Sequence, residues 1–204
     1  MLDPTVRPDR PLPDLLREAA AHGVRLFQYR DKQATMKDAY AKALALRQAA
    51  TDAGALLIVN DRCDLAMAVN ADGVHLGQDD LPIVYARQLL GPEKIIGLST
   101  HNATQVREAV TAQPDYVGFG PIFSTSTKAD HDPVVGLEGL RAARALTSLP
   151  MFAIGGITAE SLGEIMAAGA DGVAVISAIL KAPDLGAAIR AFQQHVPTPD
   201  SQAL

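Results

Sequence analysis

Seven short apolar runs, spaced by stretches of helical periodicity, set the tightest limit on what this chain can fold into. The runs are VRLFQY (24–29), ALLIVN (55–60), GVHL (73–76), KIIGLS (94–99), DYVGFG (115–120), MFAIGG (151–156) and DGVAVIS (171–177). Several are continuously apolar rather than alternating, the pattern of strands buried on both faces of a parallel sheet. In TMKDAYAKALALRQAATDAG, Met36, Ala39, Tyr40, Ala43, Leu46 and Ala50 recur at helical spacing, with Thr35 placed to cap and Gly54 to terminate. In TAESLGEIMAAGA, Thr158 is placed to cap, Leu162, Ile165 and Met166 form the stripe, and Gly169 ends it. AGADGV (168–173) repeats NADGV (70–74) as helix end, tight turn and new strand. Alternation at this pace implies βαβ units.

Two architectures compete. An open doubly wound sheet usually carries a G-x-G-x-x-G turn after its first strand, and none follows any run here. A closed (β/α)8 TIM barrel gathers polar residues at the C-terminal ends of its strands, where its active site forms. That pattern is present: Gln28, Arg30 and Lys32 follow the first run, Asn60 and Asp61 the second, Gln78, Asp79 and Asp80 the third. Ser99 ends the fourth, a hydroxyl-rich loop follows the fifth, Gly155 and Gly156 the sixth, and Ser177 ends the seventh. The expectation is a single TIM-barrel domain over 1–204, with an irregular start (1–11), a tail (196–204) and its first strand missing or truncated. MLDPTVRPDR is too rich in proline and charge to be a good strand. Either the true start lies upstream or the barrel closes some other way.

Composition narrows the function. A net charge of −5 argues against nucleic-acid binding through a basic face, and the absence of Trp against base-stacking platforms. The single Cys63 excludes an intrachain disulfide and suits a reducing compartment. No window reaches the ~18 apolar residues of a membrane span, and the opening segment is not a signal peptide. A cytoplasmic protein is expected, with a homo-oligomer left open.

The glycine-rich turns AIGGI and VISAI end the last two runs, where barrels commonly bind phosphate through backbone N–H groups. Asp61 and Asp80 follow neighbouring strands. Two convergent carboxylates near a phosphate suit Mg2+, although each is also placed to cap a helix. Arg30 and Lys32 leave one face of an extended segment, with Asp31 on the other; guanidinium and ammonium suit phosphate, and a solvated strand end is the plainer account. His75 in GVHLGQ reads as a satisfied core imidazole. There is no H-E-x-x-H and no G-x-S-x-G, so neither a zinc water nor a serine elbow is supported.

With these residues in view, the sequence resembles thiamine phosphate synthases from about residue 12 to 195. The matching motifs are QYRDK, VNDRCDLA, DGVHLGQDDLP, GLSTHN, GPIFSTSTK, FAIGGI and DGVAVISAI. Together, in this order and spacing, they are specific. The resemblance implies a (β/α)8 barrel that couples 4-amino-2-methyl-5-hydroxymethylpyrimidine diphosphate to 4-methyl-5-(2-hydroxyethyl)thiazole phosphate, yielding thiamine phosphate and pyrophosphate. It implies that Gln28, Arg30, Lys32 and Asn60 hold the pyrimidine diphosphate and that Asp61 and Asp80 bind Mg2+. By the same likeness Ser99 and Lys128 face the pyrophosphate, while Thr125, Thr127, Gly156, Ile176 and Ser177 hold the thiazole phosphate.

The chain departs from the family pattern in three places. Ser124 stands where proline is usual, Tyr29 where leucine is usual, and MLDP is all that corresponds to a first strand of the form LYLITD. Rival readings are a thiazole tautomerase on the same barrel, a non-catalytic thiazole-phosphate binder, and an unrelated sugar-phosphate isomerase barrel. The QYRDK, ND and QDD segments and the T-x-T-K loop argue against the first.

Overall fold

The computed structural model describes residues 1–125 and 132–194. In chain order its elements are α1 (Leu12–Ala21), β1 (Leu26–Tyr29), α2 (Met36–Asp52), β2 (Leu56–Asn60), α3 (Cys63–Ala68), β3 (Gly73–Leu76), α4 (Ile83–Leu90) and β4 (Ile95–Thr100). The second half holds α5 (Ala103–Ala112), β5 (Tyr116–Phe119), α6 (Gly136–Arg144), β6 (Met151–Ile154), α7 (Leu162–Ala167), β7 (Gly172–Ala174), α8 (Ser177–Leu180) and α9 (Leu185–Gln193). All seven strands pair in parallel, in sequence order. The fold is the expected TIM barrel.

Local sequence explains the helices. In α1, Leu12, Leu15, Leu16, Ala19 and Ala20 are buried at i, i+3, i+4, i+7 and i+8, one continuous stripe. Leu15 and Leu16 are fully buried, each contributing about 1.5–3 kcal/mol of transfer free energy. In α2, Thr35 caps by accepting from the Asp38 N–H, and Gly54 follows the helix with φ of +60°. Ala39, Ala43, Leu46 and Ala50 are buried as expected, whereas Met36 and Tyr40 stay exposed at the edge of the stripe. Thr158 does not cap: α7 starts at Leu162, and the Thr158 N–H instead donates to the Ser161 hydroxyl. Nor does Ser177 end a strand, because β7 stops at Ala174 and Ser177 opens α8.

One device recurs at the N-terminal ends of the strands. Asp72, Asp115 and Asp171 each stand just before a strand. Their carboxylates accept from the first N–H groups of the neighbouring run: Leu57 at 2.7 Å, Ile96 at 2.7 Å and Met151 at 2.8 Å. Each also pairs with an arginine from a helix: Arg47, Arg87 and Arg144. The ADGV repeat in the sequence reflects this device, and PDYV is its third copy.

Met1, Leu2 and Asp3 lie beside β1, where a first strand is expected. Leu2 forms a single parallel bridge with Tyr29. Its N–H donates to the Gln28 carbonyl at 2.7 Å, and its carbonyl accepts from the Arg30 N–H at 2.9 Å. On the other side the Met1 nitrogen donates to the Val175 carbonyl at 2.8 Å. Met1, Leu2 and Asp3 thus span the gap between β7 and β1 at the end where the active site forms. Leu2 is buried. Below this bridge the gap is filled by apolar side chains of α1, α8 and α9, and a cavity of about 270 Å3 runs from it into the barrel lumen.

The apolar interior forms two clusters. One joins β1–β4 with α1–α4, α8 and part of α9. The other joins β5 and β6 with α5, α6 and α7.

Candidate active site

The β–α loops enclose a cavity of about 850 Å3 at the C-terminal ends of the strands. Ten of the residues expected to act there line it: Arg30, Lys32, Asn60, Asp61, Asp80, Ser99, Thr125, Gly156, Ile176 and Ser177. Gln28 sits one layer lower and lines the lumen. Thr127 and Lys128 lie outside the described residues.

The strand period positions the first group. Gln28, Arg30 and Lys32 fall on one face, from the lumen up to the mouth. Arg30 Nη1 meets Asp3 Oδ2 at 2.8 Å, and Lys32 Nζ meets Asp61 Oδ2 at 2.8 Å. Asp31, on the opposite face, pairs with Lys42. Tyr29 is buried away from the lumen, its hydroxyl donating to Asp31.

Neither acid caps a helix. The N-cap of α3 is Arg62 and that of α4 is Pro82, and neither makes a side-chain cap. Asp61 instead holds a left-handed backbone at φ of +64°, uncommon for a residue with a side chain, while its N–H donates to the His75 carbonyl. Asp80 Oδ2 accepts from the Gly77 N–H at 2.7 Å. Burial first, and then the Asp61 carboxylate within hydrogen-bonding reach, push the Asp80 carboxyl above its ordinary pKa; the Gly77 N–H and Lys32 pull the other way. Two neighbouring carboxylates beside an open cavity are a donor set that fits Mg2+, which takes one or two carboxylates and completes its shell with phosphate oxygens and water. Among the described residues no group of three or more potential metal ligands occurs.

A polar chain crosses the lumen below. Gln28 stands beside the Tyr116 hydroxyl at one end. Tyr116 Oη lies 2.9 Å from His75 Nδ1, and His75 Nε2 lies 2.8 Å from Ser99 Oγ. Both ring nitrogens of His75 are thus engaged by hydroxyl groups. Burial pushes the Tyr116 phenol above its usual pKa, keeping it protonated. Gly97 makes room for this chain, since a Cβ there would lie 2.2 Å from the Tyr116 ring and 2.5 Å from His75 Nδ1. One atom of the chain is unsatisfied: Gln28 Oε1 is buried with no hydrogen-bond partner among the described residues.

The far wall is backbone. Gly155 and Gly156 have φ of +98° and +64°, and Cβ atoms there would collide with Pro121, Phe123 and the Ser124 carbonyl. Both glycines are needed for the turn to lie against the 121–124 segment, which it also meets through Ile122 N–H to Ile154 O and Phe123 N–H to Gly155 O. His101 Nδ1 contacts the Gly120 carbonyl at 2.6 Å, and its Nε2 lies 3.3 Å from Asp132. It therefore touches both stems of the loop that carries Thr125.

Sequence reasoning passed over Asp3, Tyr116 and His101, whereas His75 is the satisfied interior imidazole expected, bonded at both ring nitrogens. Asp3 had a signal, because MLDP aligns with the end of an LYLITD strand. Tyr116 had none, since an apolar run gives no warning that one of its rings faces a lumen.

The family model for thiamine monophosphate synthase matches residues 2–179. A thiamine-phosphate synthase of Moorella thermoacetica is 46% identical over 187 residues, covering 92% of this chain and 89% of the relative. One from Chloroflexus aurantiacus is 46% identical over 190 residues, covering 93% and 88%. The solved thiamine phosphate pyrophosphorylase from Pyrococcus furiosus has a TM-score of 0.82 to this chain at 38% identity, covering 91% of this chain and 89% of that one. A 3-hexulose-6-phosphate synthase structure, at 18% identity and a TM-score of 0.71, shares the fold alone. Fold, motif order and these likenesses agree: the chain belongs to the thiamine monophosphate synthase family.

Proposed function

We propose that the protein joins 4-amino-2-methyl-5-hydroxymethylpyrimidine diphosphate to 4-methyl-5-(2-hydroxyethyl)thiazole phosphate, releasing thiamine phosphate and pyrophosphate. The observation that carries the reading is the buried, unpartnered Gln28 Oε1 in the lumen, one layer below the cavity that Arg30, Lys32, Asp61 and Asp80 line. A buried acceptor without a donor is costly, and the pyrimidine's amino group is a donor that fits it. The diphosphate would then extend upward past Asn60 to Arg30 and Lys32.

In this reading Asp61 and Asp80 would hold Mg2+, which supplies charge neutralisation for the diphosphate oxygens when bound. The bond between the exocyclic carbon and the diphosphate oxygen breaks, and its electron pair leaves with pyrophosphate. Arg30, Lys32, Lys128 and the Ser99 hydroxyl face the charge that develops, as preorganised electrostatic stabilisation. The pyrimidine's amino group stabilises the carbon cation. The thiazole nitrogen then donates its lone pair to that carbon, with the thiazole phosphate held by Thr125, Thr127, Gly156 and the backbone at Ile176 and Ser177. No side-chain nucleophile is required. The reading implies a cytoplasmic enzyme, which the buried thiol of Cys63 suits. No helix among the described residues is long and apolar enough to cross a membrane.

The test is an assay with both substrates and Mg2+, measuring thiamine phosphate and pyrophosphate. Equimolar formation of both supports the proposal. Thiazole phosphate binding without turnover favours a non-catalytic binder, and interconversion of thiazole isomers without coupling favours a tautomerase.

A further inference from the structure

Asp3 is a buried charge that the proposed reaction does not use. Its side chain is 4% exposed, and it forms an ion pair with Arg30, itself 16% exposed. Oδ2 takes Arg30 Nη1 at 2.8 Å, while Oδ1 accepts from the Thr5 hydroxyl at 2.6 Å and the Thr5 N–H at 3.0 Å. Both oxygens are therefore engaged, and the carboxylate cannot rotate without losing a bond. Arg30 is also tied to the same segment through its backbone, since its N–H donates to the Leu2 carbonyl. Asp3, Thr5 and Arg30 all line the large cavity.

We propose that Asp3 is a positioning residue that fixes the Arg30 guanidinium for a diphosphate, a role that rests on the reading of Arg30 given above. A guanidinium offers five N–H donors in a rigid fork, and Asp3 occupies one edge of it. The remaining donors keep the planar geometry that suits bidentate phosphate contact. Without Asp3 the arginine would be free to swing or to pair with Asp61 across the cavity. Closure of the barrel does not need the Asp3 charge, because the Met1 and Leu2 backbone bonds bridge the two edges by themselves. An asparagine would keep the Thr5 contacts at Oδ1 and lose the ion pair.

The experiment uses the full chain and its D3N, T5V, R30A and D3N/R30A variants. Affinity for inorganic pyrophosphate with Mg2+ is measured by calorimetry, together with KM for each substrate. In D3N, pyrophosphate affinity and KM for the pyrimidine diphosphate each worsen about tenfold, KM for the thiazole phosphate stays within about twofold, and the double variant binds no worse than R30A. T5V, which leaves the charge but removes its hydroxyl support, shows the same split at about threefold, and carries the test if D3N fails to fold. Wild-type pyrophosphate affinity in D3N, an equal rise in both KM values, or effects that multiply in the double variant would overturn the proposal. A loss in R30A with none in D3N overturns it alone. Unchanged affinity in R30A overturns it together with the reading of Arg30 as a diphosphate ligand.

Discussion

Lys32 Nζ lies 2.8 Å from Asp61 Oδ2. The ammonium proposed to meet the diphosphate and a carboxylate proposed to meet Mg2+ thus face each other directly, and each balances the other's charge. Lys32 also lowers the cost of ionising Asp80. Lys32→Ala should reduce kcat/KM by about 10²-fold or more, as for loss of one preorganised donor. With that charge gone, Asp80 ionises at a higher pH, so the pH at which Mg2+ binding develops should rise. Steady-state kinetics and Mg2+ titrations over a pH series check both parts.

Asp80→Asn should raise thermal stability while removing activity. The folded Asp80 carboxyl has a pKa above the ordinary 3.8, so its ionised form is disfavoured by folding. The group costs stability once pH has risen through the raised value, and costs nothing below the ordinary one, where both states are protonated. The variant's Tm should therefore exceed wild type at pH 7 without Mg2+, and the difference should vanish in acid. An equal gap at every pH would contradict this.

Asp72→Ala should do the reverse. It removes the acceptor for the Leu57 N–H and the partner of Arg47 at the opposite end of the barrel. A loss of about 2 kcal/mol in urea unfolding is expected, in the range for hydrogen bonds to charged groups. The kinetic constants of the folded variant should remain those of wild type.

Gly97→Ala should destabilise by more than about 2 kcal/mol, the cost of overpacking, because its Cβ would enter the Tyr116 ring and crowd His75 Nδ1. Partial relief by a second substitution, Tyr116→Ala, would show that the ring is one of the obstacles. Denaturant curves of the two variants are the measurement.

Lys128→Ala should lower kcat by roughly 10²–10³, with thiazole phosphate affinity kept. Near-normal kcat would remove Lys128 from the pyrophosphate side.

Much of this was legible in the sequence, for reasons that particular residues make plain. GVHL, ALLIVN and MFAIGG announce buried parallel strands because both their faces are covered. Arg30, Lys32, Asp61 and Asp80 could be placed on one mouth because a barrel gathers strand ends there. What escaped was pairing across distance. Nothing local says that Asp3 meets Arg30, or that Met1 reaches Val175. Proline and charge made 1–11 look unfit for a strand, and within it only Leu2 forms a bridge, to Tyr29. Tyr116 was hidden for a different reason, since strand periodicity tells which side chains share a face but not which face is the lumen.

The split interior of the barrel has a consequence for how such a protein can change over generations. Most residues proposed for the pyrimidine diphosphate and Mg2+ follow β1 to β4, above one apolar cluster, but Lys128 follows β5 together with Thr125, above the other, and Ile176, proposed for the thiazole phosphate, is buried in the first. Each substrate's pocket thus draws on both clusters. Drift in either is felt by both pockets, and recombination between β4 and β5 would disturb both specificities at once.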